Sequence, residues 1–212
     1  LGFEPLALAA LPGGDLAAVA ADARGPIVRI LAPDGRIRAS WPLAEGTFPV
    51  LRPADIVAAP DGTLLVADAD RDRIVRFTAD GSGLEAWGGQ GYGGGTFEPG
   101  CCFGPSSLAV AADGTVFAAD DGLGLVQRFE PNGAFVAEWG GTSRQPGRFD
   151  HPADIAMTAD GDLVVMDSDN YRVQRLAPDG TPKWAVGHFG DGPAEFGADV
   201  DSSYPSQRGP TS

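Results

Sequence analysis

The 212-residue sequence is poor in histidine, cysteine and positive charge: it has two histidines, two cysteines, and 15 lysines and arginines against 29 aspartates and glutamates. The formal net charge of −14 argues against a surface for nucleic-acid phosphates and against docking to an anionic membrane. No apolar run approaches the roughly 20 residues of a transmembrane helix. His151 and His188 are too few, within this sequence, for a zinc site built from three histidines.

The two cysteines, Cys101 and Cys102, are adjacent in sequence. Their Cα atoms lie about 3.8 Å apart across a trans peptide, below the usual disulfide range of about 4.4 to 6.8 Å. Reduced thiols are therefore expected, whereas a bridged pair would indicate an oxidising compartment and an extracellular or cell-surface location. The sequence has no C-x-x-C, G-x-S-x-G, P-loop or H-E-x-x-H pattern, so none of these common signatures of catalysis is present.

Glycine and proline are abundant, with 31 and 18 copies, and they recur at matching positions. Four prolines are each followed nine residues later by a glycine: Pro5 and Gly14, Pro53 and Gly62, Pro105 and Gly114, Pro152 and Gly161. A second turn recurs as APDG (32–35), TADG (78–81), EPNG (130–133) and APDG (177–180). Such regular spacing indicates an internal repeat.

The repeats span about residues 3–43, 51–89, 103–141 and 149–187, called units one to four. Each contains four short apolar runs separated by turn dipeptides, which predicts four antiparallel strands. The Ala-rich run Leu16–Ala20 favours a helix by propensity, but its register with the other units predicts a strand. Residues 188–212 resemble an inter-unit link that leads into a fifth unit. We therefore expect one continuous array of repeats over residues 1–212. The array is expected to form an open arc, with further repeat units in additional sequence or in another chain.

The segment PADIAMTADGDLVVMDSDNYRVQRLAPDG in unit four resembles an NHL repeat. Asp167, Asn170, Arg172 and Val173 carry the resemblance there, and unit two keeps it at Asp68, Arg73 and Ile74. Unit three departs from it at Leu125, and unit one keeps only the turn spacing and Asp22. The resemblance implies an all-β fold, a β-propeller of four-stranded antiparallel blades that usually number six. It implies little about function, because NHL propellers serve as scaffolds, ligand binders, RNA binders and occasionally enzymes.

Physical reasoning also favours radial stacking, because a four-stranded sheet cannot bury both of its faces alone. The first strands are rich in alanine, which suits a crowded axis. The four tryptophans fall one per unit after the second recurring turn. We expect their side chains to be buried between blades, where they would serve packing; they are Trp41, Trp87, Trp139 and Trp184.

The DG and PDG turns are constant in length and share one rim, whereas the links on the opposite rim vary in length. Variable loops on a rigid scaffold usually carry binding residues, so the opposite rim is the predicted functional face. Its excess of carboxylates favours cations, metal ions or basic partners. The candidate ligand-binding residues are Asp55, Asp154, His151, Cys101 and Cys102.

The acidic turn DADRD contains Asp68, Asp70 and Asp72 and is a candidate metal site. It lacks the glycine and the distal glutamate of a calcium loop, so a solvated turn is the alternative. Asp55 and Asp154 occupy the same position in a PAD sequence. They are predicted either to ring the mouth of a channel and bind a cation or polar ligand, or to pair with nearby backbone or repeat arginines.

Two functions remain open at the sequence level. The first is a non-catalytic module that binds or scaffolds a protein, glycan or small ligand, with no cofactor beyond a calcium or zinc ion. The second is a metal-dependent propeller enzyme of the amidating-lyase or lactonase type. The resemblance permits both, and the shortage of histidines favours the binding module.

Overall fold

The computed structural model describes residues 4–98 and 104–189. Within these residues the regular structure consists of sixteen β-strands in four antiparallel sheets, called blades one to four. In chain order the strands are β1 (Glu4–Ala10), β2 (Leu16–Asp22), β3 (Gly25–Leu31) and β4 (Ile37–Pro42) in blade one; β5 (Pro53–Ala58), β6 (Leu64–Asp68), β7 (Arg73–Phe77) and β8 (Gly83–Gly88) in blade two; β9 (Pro105–Val110), β10 (Val116–Asp120), β11 (Leu125–Phe129) and β12 (Phe135–Gly140) in blade three; and β13 (Pro152–Met157), β14 (Leu163–Asp167), β15 (Arg172–Leu176) and β16 (Pro182–Val186) in blade four. The predicted all-β class is confirmed.

The turns form where the sequence places Asp-Gly. Between β5 and β6 the Ala59 amide donates to the Thr63 carbonyl at 2.9 Å, and the Asp61 carboxylate accepts the Thr63 amide at 2.9 Å. Gly62 has a φ of 83°, a left-handed conformation that glycine adopts without strain. The Ala-rich run of blade one is part of β2, as register predicts, because pairing with β1 and β3 overrides helix propensity.

The blades pack side by side through their first strands, in the order β1–β5, β5–β9 and β9–β13. One apolar cluster joins each neighbouring pair of blades. β1 and β13 make no extensive contact with each other, so the described blades form an open arc. No helix in this part of the chain is long and apolar enough to cross a membrane.

A β-bulge recurs in each first strand, directly after its proline. In blade two, Pro53 pairs with Asp68 and Asp55 pairs with Ala67, so Ala54 is the extra residue. Equivalent register shifts occur in blades one, three and four. Bulges re-aim the neighbouring side chains, and here the residue that follows the bulge is Ala7, Asp55, Ser107 or Asp154.

Each of the first three tryptophans packs on a glycine of the following blade. A Cβ at Gly133 would lie 2.6 Å from the Trp87 ring, and one at Gly180 would lie 2.6 Å from the Trp139 ring. Trp41 covers Gly81 in the same way. These contacts place the indoles between blades, as expected, although Trp87 and Trp139 are only partly buried.

The expectation that Trp184 is buried is wrong, since 45% of it is exposed. Trp41, Trp87 and Trp139 lie opposite Val28, Ile74 and Val126 of the neighbouring strand. In blade four the equivalent strand residue, Val173, lies opposite Val186 instead, and Trp184 is two residues closer to the turn. No described blade covers this face, so both side chains stay in solvent.

Candidate functional site

The arc has two rims, and the carboxyl groups of the two rims differ in the direction in which their pKa values are shifted. The DG rim contains the Asp-Gly and related turns that follow each first and third strand. Here hydrogen bonds to Thr63, Thr115 and Thr181 lower the pKa values of Asp61, Asp113 and Asp179. These aspartates are engaged by their own turns, which is the structural role expected of them.

The link rim is the opposite edge, formed by the links, the starts of the first strands and the turns after the second strands. Several of its carboxyl groups have pKa values raised, with burial as the main cause in each case: Asp55, Asp68, Asp72, Asp120 and Asp121. Groups held away from their ordinary pKa concentrate at functional sites, although structural ion pairs also produce such shifts.

Asp55 and Asp154 converge on one hydroxyl of the blade between them. Ser107 Oγ lies 3.0 Å from Asp55 Oδ2 and 2.8 Å from Asp154 Oδ1. The Leu108 amide also donates to Asp55 Oδ2, at 2.8 Å. This axial cluster therefore joins blades two, three and four through one hydroxyl.

In the axial cluster two carboxylates share the single hydroxyl proton of Ser107. Ser107 Oγ accepts the Ile155 amide at 3.3 Å and has a single proton to donate to one of two carboxylates. Burial raises the pKa of Asp55, and the nearby charge of Asp154 adds to that effect. A proton, a metal cation or a ligand ammonium group would relieve the repulsion. Ser107 itself is 3% exposed, whereas Asp154 is open to solvent.

His151 belongs to a second cluster on the same rim, built within blade four. Its Nδ1 lies 3.1 Å from Asp150 Oδ1 and 3.3 Å from Asp169 Oδ2. Although partial burial lowers it, the pKa of His151 is raised on balance by the Asp150 hydrogen bond and the charges of Asp169 and Asp121. One potential ligand atom from each of Asp150, His151 and Asp169 lies within 4.8 Å of the others. This group could hold a metal ion.

The backbone that carries His151 is fixed from two sides. The Asp150 amide donates to Asp167 Oδ1 at 2.7 Å, and the Asp169 amide donates to the Asp150 carbonyl at 3.1 Å. His151 has a φ of 51°, a left-handed conformation that is uncommon for residues other than glycine, although histidine adopts it more often than most. The residue before Pro152 is thus held in a bent backbone that brings the imidazole against the Asp169 turn.

The DADRD aspartates do not form a comparable group. Asp68 is fully buried and accepts the Arg73 Nε at 2.9 Å. Asp72 is also buried, at 0% exposed, whereas the Asp70 side chain is 47% exposed. A metal site made of these three carboxylates therefore has no support from their positions, and a structural role fits Asp68.

The motif pair Asp167 and Arg172 has the same structural role in blade four. Arg172 Nε donates to Asp167 Oδ2 at 2.7 Å, and its guanidinium also reaches the carbonyls of Arg144, Gln145 and Arg148 at 2.7 to 2.9 Å. Asn170 Nδ2 donates to Asp167 Oδ1 at 2.9 Å. These bonds tie the preceding link to the blade, so the residues that identify the repeat position the rim.

Blade three lacks this arginine, because Leu125 occupies the position of Arg73 and Arg172. Within residues 4–98 and 104–189, its buried aspartate, Asp120, accepts the backbone amides of Leu123 and Glu98 at 3.2 Å each and has no arginine partner. Burial raises the pKa of Asp120 to about 6. The sequence departure thus has a chemical consequence, which is a carboxyl group that titrates near neutral pH.

Other predicted site residues are not part of either cluster. Cys101 and Cys102 lie outside the described residues. His188, in the segment after β16, contributes to a small cavity with Arg144, Arg172 and Phe189. Sequence reasoning missed Ser107 and Asp150. Ser107 occupies the Asp55 and Asp154 position of its repeat, so aligning the units would have identified it.

A large cavity among the described residues lies at the other end of the axis, on the DG rim. Its volume is about 730 Å³. The lining is mostly apolar and comes from the ends of all four first strands, with Ala58, Ala111 and Met157 among it. This position disagrees with the predicted functional face. Its walls also carry a few polar side chains, Asp113, Thr115 and Arg128 among them, and apolar walls with a small number of polar groups are usual for a small-molecule pocket.

Comparisons with known proteins agree with this architecture, and the stacked four-stranded blades define the chain as a propeller-type protein. Residues 149–176 match the NHL repeat, so the predicted resemblance is confirmed for unit four. No curated protein matches the sequence.

Solved structures show the same fold at low sequence identity. A catalytically inactive variant of virginiamycin B lyase from Staphylococcus aureus, determined with quinupristin, has a TM-score of 0.62 at 15% identity over 87% of this chain and 55% of its own. A protein of unknown function from Bacteroides caccae has a TM-score of 0.59 at 17% identity over 87% and 61%. Hydrazine synthase from Kuenenia stuttgartiensis has a TM-score of 0.61 at 16% identity over 85% and 48%. The chain therefore spans between 48% and 61% of these structures, and the likeness establishes the fold alone.

Proposed function

We propose that this chain is a non-catalytic binding or scaffold module that contacts a protein, glycan or small ligand through the link rim. The observation that carries the proposal is the axial cluster, in which carboxylates from blades two and four meet on the Ser107 hydroxyl. Turn hydrogen bonds engage the DG-rim aspartates. In the axial cluster Asp55 accepts the Ile56 and Leu108 amides, whereas Asp154 is exposed to solvent and its charge lies close to that of Asp55. A positively charged ligand group would find its electrostatic partner there.

The chemistry of the cluster defines the kind of group that binds. Two carboxylates and a hydroxyl are hard oxygen donors, which suit a calcium ion or the ammonium or guanidinium group of a basic ligand. Nucleic acid does not fit, because the cluster and the net charge of −14 both repel phosphates. The ligand is thus expected to be cationic, or to bring a cation with it.

A metal-dependent enzyme of the amidating-lyase or lactonase type is the second candidate. The Asp150, His151 and Asp169 group favours it, since its three donors lie within reach of a single ion. The lyase similarity adds only the fold. Elemental analysis of the purified protein separates the two functions: stoichiometric, tightly held iron, or zinc that His151→Ala removes, would favour the enzyme, whereas calcium alone or no metal would favour the binding module.

The test of the binding proposal compares two double variants in calorimetric titrations with calcium chloride and with a tetralysine peptide. Asp55→Asn with Asp154→Asn removes the axial charges and is expected to weaken binding of at least one probe tenfold or more, or about 1.4 kcal/mol. Asp61→Asn with Asp160→Asn removes the same charge from the DG rim and is expected to change binding by less than about threefold. If the DG-rim variant loses binding and the axial variant does not, the functional face is the other rim, and the apolar cavity becomes the better site.

A further inference from the structure

The third strands of the blades carry an arginine at the same register position near the DG rim, and carboxylates neutralise it in blades two and four. Arg76 of β7 forms ion pairs with Asp61 and Glu85, at 3.3 and 2.9 Å. Arg175 of β15 forms an ion pair with Asp162, at 2.7 Å. Both arginines therefore have a structural role within their own blades.

Arg128 of β11 occupies this position in blade three, where the surrounding residues differ. Thr115 stands at the repeat position of Asp162, and Ala137 lies opposite Arg128 where Glu85 lies opposite its arginine. In the described part of the chain no carboxylate forms an ion pair with Arg128, and its buried Nε atom has no hydrogen-bond partner. The blade therefore leaves this guanidinium without a contacting anion.

Asp113 is a nearby carboxylate, but its own turn engages it. Hydrogen bonds from Thr115 lower the pKa of Asp113, and the charge of Arg128 makes a smaller contribution. The Thr115 amide donates to Asp113 Oδ1 at 2.9 Å. Because Asp113 is exposed, water screens its attraction for Arg128. The guanidinium thus keeps the capacity to pair with a further anion.

Arg128 also lies in the wall of the cavity on the DG rim. In the equivalent cleft between blades two and three, Arg76 reaches across to donate to the Pro131 carbonyl, and the cavity there measures about 150 Å³. Between blades three and four, Arg128, Pro178 and the aromatic ring of Phe117 line the cavity of about 730 Å³. Small-molecule sites usually measure about 300 to 1,000 Å³, so this cavity has the volume of a ligand site.

We propose that this cavity binds a small molecule with an apolar body and one carboxylate group, which pairs with the Arg128 guanidinium. A planar guanidinium and a planar carboxylate match in shape and can form two parallel hydrogen bonds. Apolar walls such as Ala111 and Met157 cover the rest of the ligand. A dianion such as a phosphate ester is disfavoured, because the net charge of −14 opposes each added negative charge.

This inference is independent of the cation site proposed for the link rim, which lies at the other end of the axis. The experiment is a calorimetric titration of the protein with 2-naphthoate and with its uncharged analogue, 2-naphthamide. The two probes share the same rings, so the ratio of their Kd values isolates the effect of the carboxylate. The net charge of −14 repels the anionic probe, so a preference for it requires a local cation. We expect 2-naphthoate to bind about tenfold more tightly than 2-naphthamide, or better.

Three variants locate the source of the preference. Arg128→Gln should bring the two Kd values within about threefold of each other. Arg36→Gln is the matched control, because it removes the same charge from an exposed side chain of the DG rim that does not line the cavity, and it should keep the full preference. Ala111→Leu adds volume to the cavity wall and should weaken both probes. Circular dichroism checks that each variant is folded.

Equal binding of the two probes to the unchanged protein would overturn the proposal, as would no binding of 2-naphthoate up to about 1 mM. A preference that persists in folded Arg128→Gln would place the cation elsewhere and would also overturn it. The same holds for a preference that Arg36→Gln abolishes as fully as Arg128→Gln does. Because the comparison of the two probes needs no variant, it remains decisive if Arg128→Gln does not fold.

Discussion

Replacing Leu125 with arginine should restore the ion pair that blade three lacks. In blades two and four a buried aspartate accepts a hydrogen bond from the Nε of the arginine five residues later, at 2.9 and 2.7 Å. In blade three the same position is Leu125, and the pKa of the buried Asp120 is about 6. An arginine there would favour the ionised carboxylate and lower that pKa.

The stability consequence follows from the direction of the shift. The pKa of Asp120 is about 6 when folded against an ordinary 3.8, so the folded protein binds this proton more tightly than the unfolded chain. The associated stability is present below about pH 4 and is lost as the pH rises to about 6 and beyond. A shift of about two units corresponds to about 3 kcal/mol, which is the upper limit of what Leu125→Arg can recover at neutral pH.

The assay is urea unfolding of the variant and the unchanged protein at pH 4.5 and pH 8. Leu125→Arg should be more stable relative to the unchanged protein at pH 8 than at pH 4.5, by up to about 2 kcal/mol, because about 1 kcal/mol of the effect is already present at pH 4.5. Leu125→Gln is the control, since it loses the same apolar side chain without adding charge, and its effect should not change with pH. An arginine effect equal at both pH values would refute the reasoning, as would an Asp120 carboxyl that titrates near 4 by carbon NMR.

Two further predictions concern packing between blades. Trp139→Ala should lower the free energy of unfolding by about 3 to 5 kcal/mol, because it empties an interface between blades. Trp184→Ala should cost less than about 1 kcal/mol, because the Trp184 side chain is exposed. Equal costs in urea unfolding would contradict this account of the tryptophans. Gly133→Ala should be more destabilising than Gly35→Ala. Both glycines have a positive φ near 80°, but only a Cβ at Gly133 meets an indole ring. Thermal unfolding that ranks the two variants equally would argue against the tryptophan contact.

The repeat was predictable because each turn requires particular residues, and these residues recur wherever the fold repeats the turn. Asp-Gly turns and alternating apolar runs have physical meaning at each position, so the Pro-to-Gly spacing located all four blades. The tryptophans were less predictable. Trp184 follows the glycine of its turn by four residues, whereas the other three follow theirs by six. This shift within an unchanged strand register, together with an uncovered face, gives Trp184 a different environment.

The candidate site was predictable only in part, because its members come together through the bulges of separate blades. Asp55 and Asp154 could be paired from their shared repeat position. Ser107 was missed because serine at that position has no signature of its own, although it bridges the two carboxylates. The grouping of His151 with Asp150 and Asp169 depends on a left-handed backbone at His151, which no short-range sequence pattern indicates.

The most direct test of the claim that ligands bind at the link rim is a titration with manganese(II), followed by paramagnetic broadening of amide resonances. Manganese(II) shares the oxygen preference of calcium and marks the carboxylates that it occupies. The amides of Ile56, Leu108 and Ile155, which surround the axial cluster, should broaden first. Earlier broadening of the DG-rim amides Thr63 and Thr115 would contradict the account and place the cation site on the opposite rim.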